Sequence, residues 1–292
     1  MNRKPRLKRI LHAASSILAL AGILFVVLGI AHHWREIDIS GWGSTTWAVL
    51  GISSVAYGAA NILLARAWWH LLRELDVHVP WLKALRIYGV SQINKYIPGN
   101  IFHLAGRQTL GMAAGWAARP LATSALWELI LLAALGALFG TLALPLFWPP
   151  LPPLPAIALW VGLSALIHAA LRRGGVPGIA RAMCLQTCFL ATSGAVFLTV
   201  LMATYKTPPE ASLLLPAACG AYVLAWLAGL VTPGAPAGVG VRETVLLFLL
   251  KGLFAPSDLL VAVVLGRIVT ASGDVLFYLS ALTLRGGAEE QA

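Results

Sequence analysis

Two stretches decide how this chain folds: Lys95–Leu110, KYIPGNIFHLAGRQTL, and Pro233–Val245, PGAPAGVGVRETV. Each interrupts strongly apolar sequence with a Pro-Gly pair. In each, an arginine follows nine residues after the proline, then Gln or Glu, Thr and an aliphatic residue. Proline removes a backbone donor and clashes with the preceding helical turn, and glycine accepts the dihedrals of a reversal. Pro98-Gly99 and Pro233-Gly234 are therefore expected to break a helix and turn it back on itself. Non-helical backbone at membrane depth survives only where it is buried in protein or lines a polar cavity.

The membrane setting follows from composition. The 292 residues are 59% hydrophobic and 11% charged, and the mean hydropathy is +0.81. These values exclude a soluble globular domain. About 20 apolar residues are needed to cross roughly 30 Å of hydrocarbon as helix. Runs that meet this predict spans over 10–32, 45–67, 121–145, 154–171, 182–204 and 258–284. The first is read as a retained helix rather than a cleaved signal, because Ile10 to Ala31 exceeds a signal core and more spans follow. Cys184, Cys188 and Cys219 are odd in number, and two lie one helical turn apart, so neither a disulfide framework nor a metal site is expected.

Orientation comes from the basic residues. With the N-terminus cytoplasmic, Arg3, Lys4, Arg6, Lys8, Arg9, Arg66, Arg73, Lys83, Arg86, Arg119, Arg172, Arg173, Arg181 and Arg285 fall inside. Arg35, Lys206 and Lys251 fall outside. This bias predicts a multi-pass protein of the cytoplasmic (inner) membrane with both termini cytoplasmic. The net charge of +10 is dispersed along loops, which reads as orientation and contact with anionic headgroups, not as nucleic-acid binding.

Pro98 and Pro233 lie 135 residues apart. The same offset carries span 45–67 onto 180–202 and span 121–145 onto 256–280, where spans are already expected. The chain thus reads as a single membrane domain over 1–292, with repeat A about 45–145, repeat B about 180–284, an N-terminal span 10–32 and a linking span 154–171. Span 45–67 runs inward and 182–204 outward, so the copies are inverted. The expected fold is an all-α polytopic membrane protein, an inverted repeat with two re-entrant helical hairpins, as in secondary transporters whose site lies where the broken helices meet. The alternative is two kinked ordinary spans with Gly-rich seams. It would leave Arg107 or Arg242 in lipid, at about 2.5–3.5 kcal/mol each.

KYIPGNIFHLAGR from Lys95, LWELILLAALGAL from Leu126, PAGVGVRE from Pro236 and GRIVTASGDVLFYL from Gly266 together resemble the flippase-like transmembrane region of the lysylphosphatidylglycerol synthase family. The similarity runs from about Trp47 to Leu284, and its most specific piece is G-x-G-x-R-E at Gly238–Glu243. The resemblance implies a domain that moves lipid between leaflets, an aminoacylated phospholipid in two-domain members. The soluble aminoacyl-transfer domain of those members is not expected here, because the sequence runs only seven residues past Arg285.

Arg107 and Arg242 occupy equivalent places just past the two turns. A guanidinium facing a cavity there can hold a phosphate with two parallel hydrogen bonds, and the N-terminal amides of the half-helices would suit the same ligand. The competing reading is internal ion pairing, Arg107 with Glu128 or Arg242 with Glu243. Lys95, Tyr96, Asn100 and His103 cluster around the first turn as a candidate headgroup site. Taken singly, Asn100 could cap a helix, His103 could be a core histidine, and Lys95 could snorkel. Arg267 and Asp274 share one face of the last span, and with Glu128 they serve either internal pairing or proton-coupled transport. Trp34, Trp42, Trp47, Trp68, Trp69 and Trp81 fall near span ends and read as interfacial anchors.

The function these features predict is a flippase moving a phospholipid or lipid-linked phosphate between leaflets. The alternative is a non-catalytic membrane partner of a lipid- or glycan-assembly complex. No H-E-x-x-H, paired-Asp or Ser-Arg-His lipid-phosphatase pattern occurs, so an enzyme is not expected. No cofactor is implied. The partners implied are a membrane phospholipid or polyisoprenyl-type lipid, with a homo-oligomer or a separate lipid-modifying enzyme left open.

Overall fold

The computed structural model describes residues 42–97, 102–204, 214–232 and 235–284. Span 10–32, Trp34, Asn100, both Pro-Gly pairs and both termini lie outside the described residues. Among those described, the fold is all-α, with nine helices and no named β-strand. Five helical stretches are long and apolar enough to cross a membrane. They are α1 (Ser44–Glu74), α4 (Ala118–Phe139, carried on to Phe147 by a 3-10 turn and a last helical turn), α5 (Pro153–Arg173), α6 (Pro177–Thr204) and α9 (Pro256–Thr283). These are the five expected spans that fall within the described residues. Their helices overrun the apolar runs because helix termination is a backbone matter. α1 continues through Arg66 and Arg73 until Asp76 adopts a left-handed φ of 58°. α5, α6 and α9 each open on a proline, whose missing N–H would have had no partner in the first turn anyway.

The two interrupted regions behave differently. Between α1 and α4 come α2 (Trp81–Gln92), a 3-10 turn (Ile93–Tyr96) and α3 (Phe102–Ala113). Between α6 and α9 come α7 (Leu215–Val231), a 3-10 turn (Pro236–Gly238) and α8 (Val241–Leu249). At 12 residues each, α2 and α3 reach about 18 Å, too short to cross a bilayer. α2 packs on α3, and α7 on α8. A helix that stops, reverses and packs on its own first half is a hairpin rather than a kinked span.

The 135-residue offset carries α2 to 216–227, inside α7, and α4 to 253–274, largely inside α9. Packing follows the same exchange. α1 packs on its counterpart α6, α2 packs on α9, and α7 packs on α4. Each short helix pair therefore leans on a span from the other half of the chain. Where α1 crosses α9, a Cβ on Gly58 would stand 2.8 Å from the Gly273 carbonyl oxygen, and one on Gly273 would stand 2.6 Å from that of Ser54. The backbones meet there because neither residue has a side chain. α5 stays at the edge, with Ala156 its one buried residue.

The aromatic-anchor expectation fails at Trp68. Its ring is 1% exposed, and its indole N–H donates to Ser124 Oγ at 2.9 Å. Its place on the inner face of α1 outweighs its nearness to the end of the apolar run. Trp47, 60% exposed, keeps an outward position.

Candidate functional site

The two short helix pairs and the spans α1, α4, α6 and α9 line a cavity of about 70 Å³ that opens to the outside. Seven of the ten side chains singled out in the sequence line it: Lys95, Tyr96, His103, Glu128, Arg242, Arg267 and Asp274. The others are placed differently. Arg107 and Glu243 sit behind the wall, and Asn100 lies outside the described residues.

Charges here are mostly paired within the protein, as buried ions must be. Lys95, at the end of the first half-hairpin, reaches Asp274 of α9 at 2.8 Å. The Tyr96 hydroxyl donates to the same carboxylate at 2.6 Å, and the Asn61 amide of α1 does so at 3.3 Å. Asp274 thereby ties the first break to both α9 and α1. Seven residues back along α9, Arg267 ties down the second break. It donates to the Ala237 carbonyl at 2.9 Å and lies 3.5 Å from Glu243. Ala237 itself holds a left-handed φ of 47°, a conformation that costs an alanine about 1–2 kcal/mol. That strain leaves its carbonyl in place for Arg267.

Arg107 departs from the expectation of a guanidinium facing the cavity. It is 2% exposed, ion-paired with Glu128, and stacked over the Tyr88 ring at 3.8 Å. Tyr88 Oη donates to the other Glu128 oxygen at 2.9 Å. The internal pairing weighed from the sequence is the arrangement found, because α4 carries a carboxylate at the depth where α3 delivers the arginine. At the start of the second half-helix the Gly240 N–H is likewise taken within the protein. Glu243 Oε2 accepts the Gly240 N–H at 2.6 Å, so the protein's own carboxylate caps α8.

Arg242 has no such partner. Its Nη2 donates to the Tyr222 hydroxyl at 2.8 Å, and its guanidinium lies 5.3 Å from that ring. No carboxylate stands within ion-pair distance of it among the described residues. Glu243, its expected alternative partner, is engaged by Gly240 and Arg267 instead. At the 135-residue offset that relates the two arginines, Glu128 falls on Val263, which brings no carboxylate. Space for the Arg242 side chain comes from Gly229 of α7, where a Cβ would fall 2.6 Å from Arg242 Cγ and 3.0 Å from Gly238 Cα.

Sequence reasoning passed over the neutral polar groups that complete the site. Tyr57, Tyr88, Gln92 and Thr270 line the cavity, and Tyr222 orients Arg242. The signal was available as polar residues inside apolar spans, with Tyr57 and Asn61 one turn apart on α1. Gln92 Oε1, His103 Nδ1 and the Nε and Nη2 of Arg107 are buried with no hydrogen-bond partner among the described residues, an unmet polar demand in the wall of the site. Leu129, Leu132, Phe189 and Trp226 form an apolar wall opposite. The cavity thus sets polar groups and the Arg242 guanidinium beside apolar side chains.

No protein-family model matches the chain, and no curated protein matches it significantly.

Proposed function

We propose that the chain is a membrane transporter of the flippase type, which moves a phosphate-bearing lipid between leaflets with the phosphate held on Arg242. One observation carries this reading: six of the seven charges in or behind the cavity wall cancel in pairs, and a single guanidinium remains, facing an apolar wall. A half-buried cation with no acid in ion-pair reach attracts a ligand that supplies the counter-charge. In the same proposal the two repeats are inverted in the membrane, both termini are cytoplasmic, the hairpins are re-entrant, and the motif resemblance to the lysylphosphatidylglycerol synthase transmembrane region reflects membership. The exchanged packing of the hairpins, each on the other repeat's closing span, supports the inversion.

The test is transbilayer movement of a fluorescent phospholipid in proteoliposomes. Arg242→Ala abolishes movement while the protein remains folded. Arg242→Lys restores little, because a point charge replaces a planar fork. Wild-type transport by Arg242→Ala refutes the holding of the phosphate on Arg242, and an absence of movement with the unaltered protein favours the scaffold role.

A further inference from the structure

We infer that the carrier runs as an anion exchanger: the empty cavity does not complete the return half of the cycle, and one lipid phosphate crosses inward for each that crosses outward. This inference rests on the transport reading above and adds its mode.

Charge balance in a closed chamber imposes this coupling. To pass a headgroup between leaflets, the site must at some point be shut from water on both sides. In that state Lys95 cancels Asp274, Arg107 cancels Glu128, and Arg267 cancels Glu243. Arg242 is left with a neutral phenol as its partner. The headgroup of a net-anionic phospholipid brings one negative charge, which pairs the guanidinium and makes the chamber neutral, whereas a phosphatidylcholine phosphate brings its own cation in with it and leaves the chamber charged. Without it, closure would desolvate a lone cation, and a buried uncompensated charge is among the most unfavourable states a protein can hold.

No described carboxylate is placed to substitute for the ligand. The position that serves Arg107 in the first repeat is Val263 in the second, 4% exposed and lining one small cavity together with Arg242. Glu243 is held by the Gly240 N–H and by Arg267. Asp274 is held from three sides, by Lys95, Tyr96 and Asn61. Freeing either acid would strip the counter-charge from another cation, so rearrangement moves the deficit without removing it. The apolar wall of Leu129, Leu132, Phe189 and Trp226 assigns the counter-ion to a lipid rather than to free phosphate.

The experiment uses the full chain in vesicles of zwitterionic phosphatidylcholine. They carry a fluorescent short-chain phosphatidylglycerol, with the outer-leaflet probe removed by albumin. Appearance of the inner probe in the outer leaflet is then followed after adding one of three agents outside: unlabelled short-chain phosphatidylglycerol, unlabelled short-chain phosphatidylcholine, or inorganic phosphate. Exchange requires the anionic lipid to accelerate appearance by about tenfold or more, a difference of about 1.4 kcal/mol in barrier, and the other two to leave it unchanged. Equal rates in all arms, with movement still dependent on Arg242, overturn exchange and leave the transporter reading standing. Equal acceleration by phosphatidylcholine, or acceleration by inorganic phosphate, also overturns it. No probe movement in any arm overturns the transporter reading and this inference together.

Discussion

Removing Arg107 separates a structural arginine from a ligand-binding one. In Arg107→Ala the Glu128 carboxylate, 3% exposed, keeps the Tyr88 hydroxyl at 2.9 Å but loses its counter-charge. Breaking a buried pair by deleting one partner costs about 3–5 kcal/mol. The guanidinium also leaves the face of Tyr88, 3.8 Å away, a contact worth about 1 kcal/mol or more. A loss of about 4 kcal/mol is a large share of the stability of an ordinary fold, and it should lower the melting temperature in detergent by roughly 10 °C. Replacing both partners together, Arg107→Leu with Glu128→Leu, removes the stranded charge and should recover most of that loss. Arg242→Ala behaves oppositely. It gives up one hydrogen bond to Tyr222 but also removes an uncompensated cation, so stability should stay within about 1 kcal/mol of the parent. Thermal unfolding followed by circular dichroism reads all of these. An Arg107→Ala protein that melts with the parent yet no longer moves lipid would refute the assignment, and would return Arg107 to the phosphate-clamping role its sequence position suggested.

Three further outcomes are expected. Val263→Glu places beside Arg242 the carboxylate that Arg107 already has, so lipid movement is lost with the melting temperature kept, whereas Val263→Gln, which brings no charge, retains movement. Gly229→Ala puts a Cβ 3.0 Å from Gly238 Cα and 2.6 Å from Arg242 Cγ, which should cost about 1–3 kcal/mol by overpacking and displace the guanidinium; thermal unfolding and the transport assay check it. Single cysteines, in a background lacking Cys184, Cys188 and Cys219, test orientation. An impermeant thiol reagent added outside should label position 256 and leave position 174 untouched, and the reverse result inverts the topology.

By itself the sequence determined the solvent and the skeleton. Runs of 18 or more apolar residues can be satisfied only as helices in lipid, so the spans at α1, α4, α5, α6 and α9 were legible from composition. Their ends were less so, because helices stop where backbone geometry turns, as at Asp76, and not where hydropathy falls. The 135-residue offset between the two Pro-Gly pairs and their arginines was also readable in the chain itself.

What the sequence could not settle was the partner of each charge. Arg107 and Arg242 look alike along the chain, yet one is locked to Glu128 from α4 and the other meets a tyrosine from α7. Asp274 finds Lys95 across 179 positions of sequence. The offset that relates Glu128 to Val263 hinted at the asymmetry, but only once packing had shown which acid serves which base. Ion pairing in a low-dielectric interior is decided within about 4 Å. Such distances arise only when separate helices are brought together, so the unpaired guanidinium of Arg242 in the cavity wall became visible in the tertiary structure alone.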